Sequence, residues 1–359
     1  MLRFALVGCG RIAHRHAQLL GEKHVAGAEL AAVCDVVPER AEAFGKKYGV
    51  PHFTDMDEMV VASKADVISV LTPSGLHAEH VIRLSRHGKP IVCEKPMALT
   101  LDDADAMIRA CDLARAKLFI VKQNRWNRPV VKLREALDAG RFGKLVMGTI
   151  RMRWCRTQAY YDQDAWRGTW RYDGGILANQ ASHHLDLLEW MMGDVESVFA
   201  KSTTALVKVE TEDTAVAVLR FTSGALGVIE ATTATRPKDL EGSLSILGEK
   251  GTVEIAGFAV NEMRHWNFVE KQPADEDVLT NFSVNPPTVY GFGHHAYLEH
   301  VVDAVVNDKH ALVDGLEGRK SLELIVALYE SIESGAEVKL RFRPRWSKLG
   351  HEGNGKVSS

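Results

Sequence analysis

Cysteine is scarce in this sequence. Its 359 residues include five, Cys9, Cys34, Cys93, Cys111 and Cys155, and no two stand in a C-x-x-C pair. A cysteine cage for zinc therefore has no framework, and no metal is expected. An odd cysteine count without a secretory leader fits a reducing compartment, so the expected location is the cytoplasm. No run of ~18 apolar residues occurs, which leaves no membrane-spanning helix and no membrane partner. Basic charge is not in excess: Lys and Arg number 44, Asp and Glu 47, and the net charge is −3. That balance argues against a nucleic-acid partner. A repeat of solenoid or propeller length is also lacking. Hydrophobic residues make up 46% and charged residues 25%, proportions that exclude disorder for the bulk of the chain. The length suits two domains of ~100–200 residues each.

What the sequence does contain begins at once. Leu2–Val7 reads as a short buried strand, followed by Gly8-Cys9-Gly10-Arg11-Ile12-Ala13 and a helical pattern. In such a G-x-G-x-x-A turn the first glycine permits the tight bend and the second lets the backbone approach a pyrophosphate. The final small residue lets helix and strand pack closely. Amide groups at the helix start, about Arg11 and Ile12, then face the phosphates. A second strand, Ala28–Cys34, ends at Asp35, where a carboxylate accepts hydrogen bonds from an adenosine ribose and repels a 2′-phosphate. Asp35 thus favours NAD over NADP. A helix cap before Pro38 is the plainer reading of the same residue.

The alternation continues with expected strands at 66–71, 90–93 and 117–121 and helices at 39–48, 77–87 and 102–115. Strands separated by helices imply a parallel sheet with right-handed crossovers. The loops with chemical content, 8–13, 35–36, 72–77 and 94–96, all fall at the carboxyl edge of that sheet, where ligands bind in such folds. They bring Thr72, Pro73, His77, Glu94 and Lys95 toward one crevice.

From about Gln123 the pattern changes to short strands with hairpin-like turns, at 145–154, 197–205, 214–221, 225–231, 243–247 and 252–255. Helices are expected over 130–139, 176–192, 294–307 and 318–334. The expected fold class is α/β: a Rossmann domain with a parallel sheet over 1–122, then an α/β (α+β) domain over 123–345 with a large open, mostly antiparallel sheet. Such a sheet can serve as an interface, so a homo-oligomer, dimer or tetramer, is expected. Residues 346–359 read as a flexible tail.

Two groups of residues carry chemistry. Lys95 stands in Glu94-Lys95-Pro96 at a strand end; a buried lysine titrates readily and can stabilise a developing alkoxide. A structural ion pair with Glu94 is the alternative. Asn179, His183 and Asp186 recur at i, i+4 and i+7, which on a helix makes one polar face. A histidine there can move a proton near neutral pH, although a lone histidine is more often structural.

Together, Gly8-x-Gly10-x-x-Ala13, Thr72-Pro73 with His77, Glu94-Lys95-Pro96 and Gly174-Gly175-x-Leu177 with His183-x-x-Asp186 resemble the glucose–fructose oxidoreductase/inositol dehydrogenase (GFO/IDH/MocA) family over roughly residues 1–342. The resemblance implies an enzyme that oxidises or reduces a sugar or cyclitol carbinol with a nicotinamide cofactor. It also implies Lys95 as motif lysine, His183 as catalytic histidine and Asn124 among the cofactor-binding residues. One departure stands out: where the family usually has Asp four residues before the histidine, this chain has Asn179. Asn cannot act as a base, but it can donate to an anionic substrate without repulsion.

A narrower resemblance accounts for that departure. Lys122-Gln123-Asn124-Arg125, Tyr161-Asp162-Gln163, Trp166-Arg167-Gly168-Thr169-Trp170 and Asn179-Gln180-Ala181-Ser182-His183 resemble the dehydrogenases of O-antigen biosynthesis that oxidise UDP-N-acetyl-2-amino-2-deoxy-D-glucuronate at C3. The resemblance implies a UDP-linked sugar acid as substrate. Of the basic residues Lys122, Arg125, Arg128, Arg151, Arg153, Arg156, Arg167 and Arg171, the arginines inside these motifs are Arg125 and Arg167, and with Asn179 they are the expected substrate-binding residues. Two other readings keep parts of the pattern: a different sugar or cyclitol dehydrogenase, and a non-enzymatic NAD-responsive regulator, which would need neither Lys95 nor His183.

Overall fold

The computed structural model describes residues 1–284, 286 and 291–340; the expected tail from 346 lies outside the described residues. The chain starts with β1 (Leu2–Val7), α1 (Ala13–Gly21), β2 (Ala28–Cys34), α2 (Pro38–Tyr48), β3 (His52–Phe53), α3 (Met56–Ser63), β4 (Val67–Val70), α4 (His77–Ser85), β5 (Ile91–Cys93), α5 (Leu101–Leu113) and β6 (Leu118–Ile120). The six strands form one parallel sheet in the order β3-β2-β1-β4-β5-β6. Helices cover both faces, so the central strands are buried throughout and read as unbroken apolar runs, such as Val67–Val70. β3 and α3 have no counterpart among the expected elements, because a two-residue edge strand carries no pattern. The strand order reverses between β1 and β4, so the loops that follow these two strands flank a crevice.

The second part contains α6 (Arg128–Asp138), β7 (Leu145–Arg153), α7 (Gln158–Tyr161), α8 (Ser182–Met192), β8 (Val195–Thr203), β9 (Thr214–Phe221), β10 (Leu226–Thr232), β11 (Glu241–Gly248), β12 (Gly251–Ala256), β13 (Glu262–Phe268), α9 (Val278–Asn281), α10 (Gly293–Val306), α11 (Gly315–Ser334) and β14 (Val338–Lys339). Its eight strands form a second sheet, ordered β13-β12-β11-β7-β10-β9-β8-β14. Every pairing is antiparallel except β7 with β10. One face packs Ile150, Leu219, Ile229 and Leu244 against Leu185 and Leu188 of α8 and Leu324 and Leu328 of α11. The opposite face leaves Val216, Val218 and Leu226 exposed. The expected α/β architecture of a parallel sheet followed by a large, mostly antiparallel one is thus observed.

Two features position the site. The chain returns to the first sheet late: Tyr297, Leu298 and Val301 of α10 pack with Phe4, Leu6 and Phe119, while Val313 and Leu322 join Ile91 and Ile120. Packing therefore crosses the expected division at 122/123. The helix expected over 176–192 starts only at Ser182, and residues 176–181 form turns. The cause lies in Gly174 and Gly175. Gly174 has φ +79°, and a Cβ on Gly175 would sit 2.0 Å from a carboxylate oxygen of Glu212. Just beyond the glycines, the Ile176 N–H donates to the Glu212 carbonyl (3.1 Å) and the Leu177 N–H to its side chain (3.0 Å). Asn179 consequently sits in a turn, not on one helical face with His183 and Asp186 as expected.

Candidate active site

A cavity of about 810 Å³ opens at the carboxyl edge of the parallel sheet. Loops after β1, β2, β4 and β5 form one wall. Residues between Trp154 and Arg167, together with Asn179, Gln180 and His183, form the other.

The first wall fits a dinucleotide. Gly8 adopts φ +98°, and a Cβ there would lie 2.9 Å from the Leu71 carbonyl oxygen, so only glycine permits this turn. A Cβ on Gly10 would meet nothing within 4 Å, leaving the backbone open to a ligand. No side chain caps α1, so its first amides are left to water or an anion. Asp35 stands at the end of β2, where one carboxylate oxygen accepts from the Cys9 N–H (2.8 Å) and the other from the Val37 N–H (2.9 Å). Asp35 thus ties the glycine turn to the second strand while lining the cavity. Arg11, Ile12, Thr72 and Pro73 line it too.

His77 and Glu94 also reach the cavity, but their polar atoms serve the scaffold. His77 places Nδ1 2.8 Å from the Pro96 carbonyl and Nε2 2.8 Å from the Thr72 carbonyl, bracing two loops against each other. Burial pushes its pKa down, against the pull of those two carbonyls. Glu94 is buried and accepts from His16 Nε2 (3.1 Å) and from the Lys95 N–H (3.2 Å). Burial alone would raise its carboxyl; hydrogen bonds from His16 and His294 hold it well below the usual range. His16, Glu94 and His294 bring their polar atoms within 4.8 Å of one another, a grouping that sequence spacing does not display. Asn124 is buried in the 3-10 turn Gln123–Trp126 and does not line the cavity.

At the far end of the cavity the two halves of the chain meet. Lys95 Nζ donates to the Asn179 carbonyl at 2.9 Å and lies 3.5 Å from Asn179 Oδ1. Burial lowers the pKa of the Lys95 amine, and Glu94 and Asp173 act in the opposite sense. His183 Nε2 lies 3.1 Å from the side-chain nitrogen of Gln123. Burial and the charges of Lys95 and Lys122 hold His183 well below the ordinary histidine pKa, so its ring is neutral near pH 7 and able to accept a proton. A reactive carbinol could thus be flanked by an ammonium donor and a neutral imidazole.

The expected substrate-binding arginines part company. Arg125 is buried away from the cavity, where Nε and one terminal nitrogen each meet Asp186 at 2.8 Å and the guanidinium also reaches Glu317 at 2.9 Å. The expectation that it meets substrate is corrected: three carboxylate contacts occupy its fork. Arg167 lines the cavity, donating to Asp164 (3.1 Å) and the Tyr160 hydroxyl (2.9 Å) and stacking over Tyr160 and Trp166 at 4.7 Å each. Arg156, not singled out from sequence, lines the same wall, bonded to Asp239 at 2.9 Å and stacked over Trp154 and Tyr160. Gln123 and Asp173 also escaped sequence reasoning. Gln123 stands inside a motif quoted above, whereas Asp173 announces itself only through the turn it anchors.

Comparison with known proteins agrees with this geometry. Residues 2–122 match the GFO/IDH/MocA profile for an oxidoreductase family with an NAD-binding Rossmann fold, and residues 134–340 match the profile of that family's C-terminal alpha/beta domain. The WlbA dehydrogenase of Bordetella pertussis, solved with NADH and UDP-GlcNAcA, is 42% identical, with 95% of this chain and 98% of that one covered and a TM-score of 0.91. The WlbA dehydrogenase of Chromobacterium violaceum, solved with the same two ligands, is 43% identical, with 96% and 97% covered and a TM-score of 0.89. Myo-inositol 2-dehydrogenase of Thermotoga maritima is 30% identical over 94% of this chain and 98% of that protein. Among the described residues, no helix is long and apolar enough to cross a membrane. On these matches and on the cradle formed by Gly8, Gly10 and Asp35, the chain belongs to the GFO/IDH/MocA oxidoreductase family and is an NAD-dependent dehydrogenase.

Proposed function

We propose that the enzyme oxidises the C3 hydroxyl of UDP-N-acetyl-2-amino-2-deoxy-D-glucuronate to the 3-keto sugar, a step in making bacterial surface polysaccharide such as O-antigen. The observation that carries this reading is the cationic and aromatic wall of Arg156, Tyr160, Trp166 and Arg167 beside Lys95 and Asn179. A UDP-linked uronate brings about three negative charges and a flat base, and such a wall suits both. A neutral polyol such as inositol has no use for two stacked arginines. Neither Arg156 nor Arg167 spends all five of its donors on partners among the described residues. The similarity to proteins solved with UDP-GlcNAcA supports the same reading.

In this reading Gly8, Gly10, Arg11 and Ile12 hold the pyrophosphate of the cofactor, and Asp35 accepts from its adenosine ribose. Thr72 and Pro73 border the nicotinamide end, with His77 and Glu94 supporting from behind. NAD, when bound, supplies the hydride acceptor. Lys95 Nζ donates to the reacting hydroxyl and stabilises its oxygen as charge develops. His183 takes the hydroxyl proton. Asn179 orients the sugar, and Arg167 pairs with one of its anionic groups. The exposed face carrying Phe199, Val216, Val218 and Leu226 is read as the surface on which a second copy packs, giving a dimer or tetramer. Five free cysteines, four of them buried, suit a cytoplasmic enzyme.

The test is reduction of NAD by the purified protein with UDP-N-acetylglucosaminuronate, UDP-N-acetylglucosamine and myo-inositol offered separately. A 3-aminotransferase and glutamate draw off the product. Reduced nicotinamide is expected with the uronate alone. A stronger signal with myo-inositol would overturn the substrate assignment.

A further inference from the structure

We propose that Asp173 is a positioning residue for the dehydrogenase reaction: acting through the side chain of Asn179, it sets how that amide meets Lys95 and, beside Glu94, adds negative charge that balances the Lys95 amine. The inference rests on the reading of Lys95 as the group that meets the substrate hydroxyl.

Asp173 is 1% exposed and does not line the cavity. Both of its carboxylate oxygens are occupied. Oδ2 accepts from the Gly168 N–H at 2.7 Å, and Oδ1 accepts from Asn179 Nδ2. A carboxylate offers no donor, so the amide of Asn179 can present only its NH₂ to Asp173. Its carbonyl oxygen is thereby turned the other way, to lie 3.5 Å from Lys95 Nζ, beside the main-chain carbonyl of Asn179 that receives the amine at 2.9 Å. Flipping the amide would aim its NH₂ at an ammonium and its oxygen at a carboxylate, which is repulsive at both ends. One charge thus fixes a chain of three groups: carboxylate, amide, amine. Position 179 itself holds no charge, so this chain sets its carboxylate one residue back from the cavity.

The surroundings agree. Lys95 and Arg167 favour the ionised form of Asp173, as do the Gly168 and Asn179 bonds, while burial opposes it and brings its pKa to about 6. Glu212 and Tyr161 are the other titratable groups that feel Asp173, and its charge discourages ionisation of both. A residue that only stapled the turn to Gly168 would not need to face the one amide that touches Lys95.

The experiment compares wild type, Asp173→Asn, Asn179→Ala and the swap Asp173→Asn/Asn179→Asp, each checked for folding by thermal melting. Trace acylation of Lys95, followed by mass spectrometry across pH, reports the state of the amine without any substrate, so it stands even if the sugar assignment is wrong. In Asp173→Asn the labelling midpoint should fall by about one unit, since a nearby opposite charge is lost. With an active substrate, kcat should drop roughly ten- to a hundredfold with little change in KM. The swap, which returns a carboxylate to the pair, should recover most of both. If Asp173→Asn does not fold, Asp173→Ser, which removes the same charge, must show the labelling shift, and Asn179→Ala, which keeps that charge, must show a smaller one. An unchanged midpoint, or a swap no better than Asp173→Asn alone, overturns the proposal.

Discussion

Arg125 and Asp186 form a two-point ion pair, 2.8 Å on each side, beneath the floor of the active-site cleft. Both side chains are almost wholly buried, and Lys122 approaches the same carboxylate at 3.8 Å. Arg125 also stacks 4.8 Å from the ring of Trp190. This is a structural knot joining the turn after β6 to α8, which carries His183 one turn earlier.

Removing one partner of such a pair leaves an uncompensated buried charge. Arg125→Ala is expected to lower stability by about 3–5 kcal/mol, read as a lower urea midpoint. Arg125→Lys should recover only part, since an ammonium cannot satisfy the fork. A variant of unchanged stability that loses only substrate affinity would restore Arg125 to the substrate site.

Lys95→Ala and His183→Ala are each expected to lower kcat at least ~100-fold, within the range of general acid–base catalysis, with NAD binding retained. His183 is neutral at pH 7 because its folded pKa lies well below the ordinary value. His183 should therefore impose no limb near pH 6.5, and any fall near pH 6 should come from protonation of Asp173 and be absent from Asp173→Asn. A limb of kcat/KM at the ordinary histidine pKa that persists in Asp173→Asn would contradict the environment described.

Asp35 both lines the cofactor wall and holds the amides of Cys9 and Val37. Asp35→Asn leaves one of those amides facing a donor, and it removes the charge that opposes a 2′-phosphate. Affinity for NAD should fall about ten- to a hundredfold, one charge-assisted bond being worth ~1.5–3 kcal/mol, and the preference over NADP should narrow. Calorimetric titration with both dinucleotides checks this; an unaltered preference would remove Asp35 from the ribose site.

Glu212 shapes the turn before α8. Its Oε1 accepts from the Leu177 N–H and from the Tyr329 hydroxyl at 2.9 Å, and burial brings its pKa from 4.5 to about 7. The folded state therefore binds a proton more tightly than the unfolded one, so stability is lost as pH rises from about 4.5 through about 7. Glu212→Gln keeps the shape without the titration. Urea midpoints at pH 5 and pH 8 should differ less in the variant than in wild type; equal differences would discount this carboxyl.

The cofactor half was legible because its signals are local. Gly8, Gly10 and Asp35 sit at fixed offsets from strands, and those offsets survive without knowledge of the rest of the chain. β9 likewise matches its expected span, since Thr214–Phe221 alternates cleanly. β13 gave no such signal: Glu262–Phe268 carries Glu, Arg and His along an edge strand. The catalytic end was legible by residue type and not by geometry. Gln123 and His183 lie 60 positions apart. Nothing local to Arg125 tells that Asp186 and Glu317 converge on it. Periodicity places Asn179 on a helical face because it does not register that Gly174, Gly175 and Glu212 delay the helix to Ser182.

The bond from Lys95 Nζ to the Asn179 carbonyl joins the loop after β5 to the turn before α8, two segments on opposite sides of the cleft. The amine assigned to the reacting hydroxyl is thus also a rivet across the seam. The ammonium carries three N–H groups, and the Asn179 contacts engage at most two of them. A hydroxyl arriving there can take a remaining proton while the seam stays fastened, so the bond that joins the two halves also holds the amine in place for what enters the cleft.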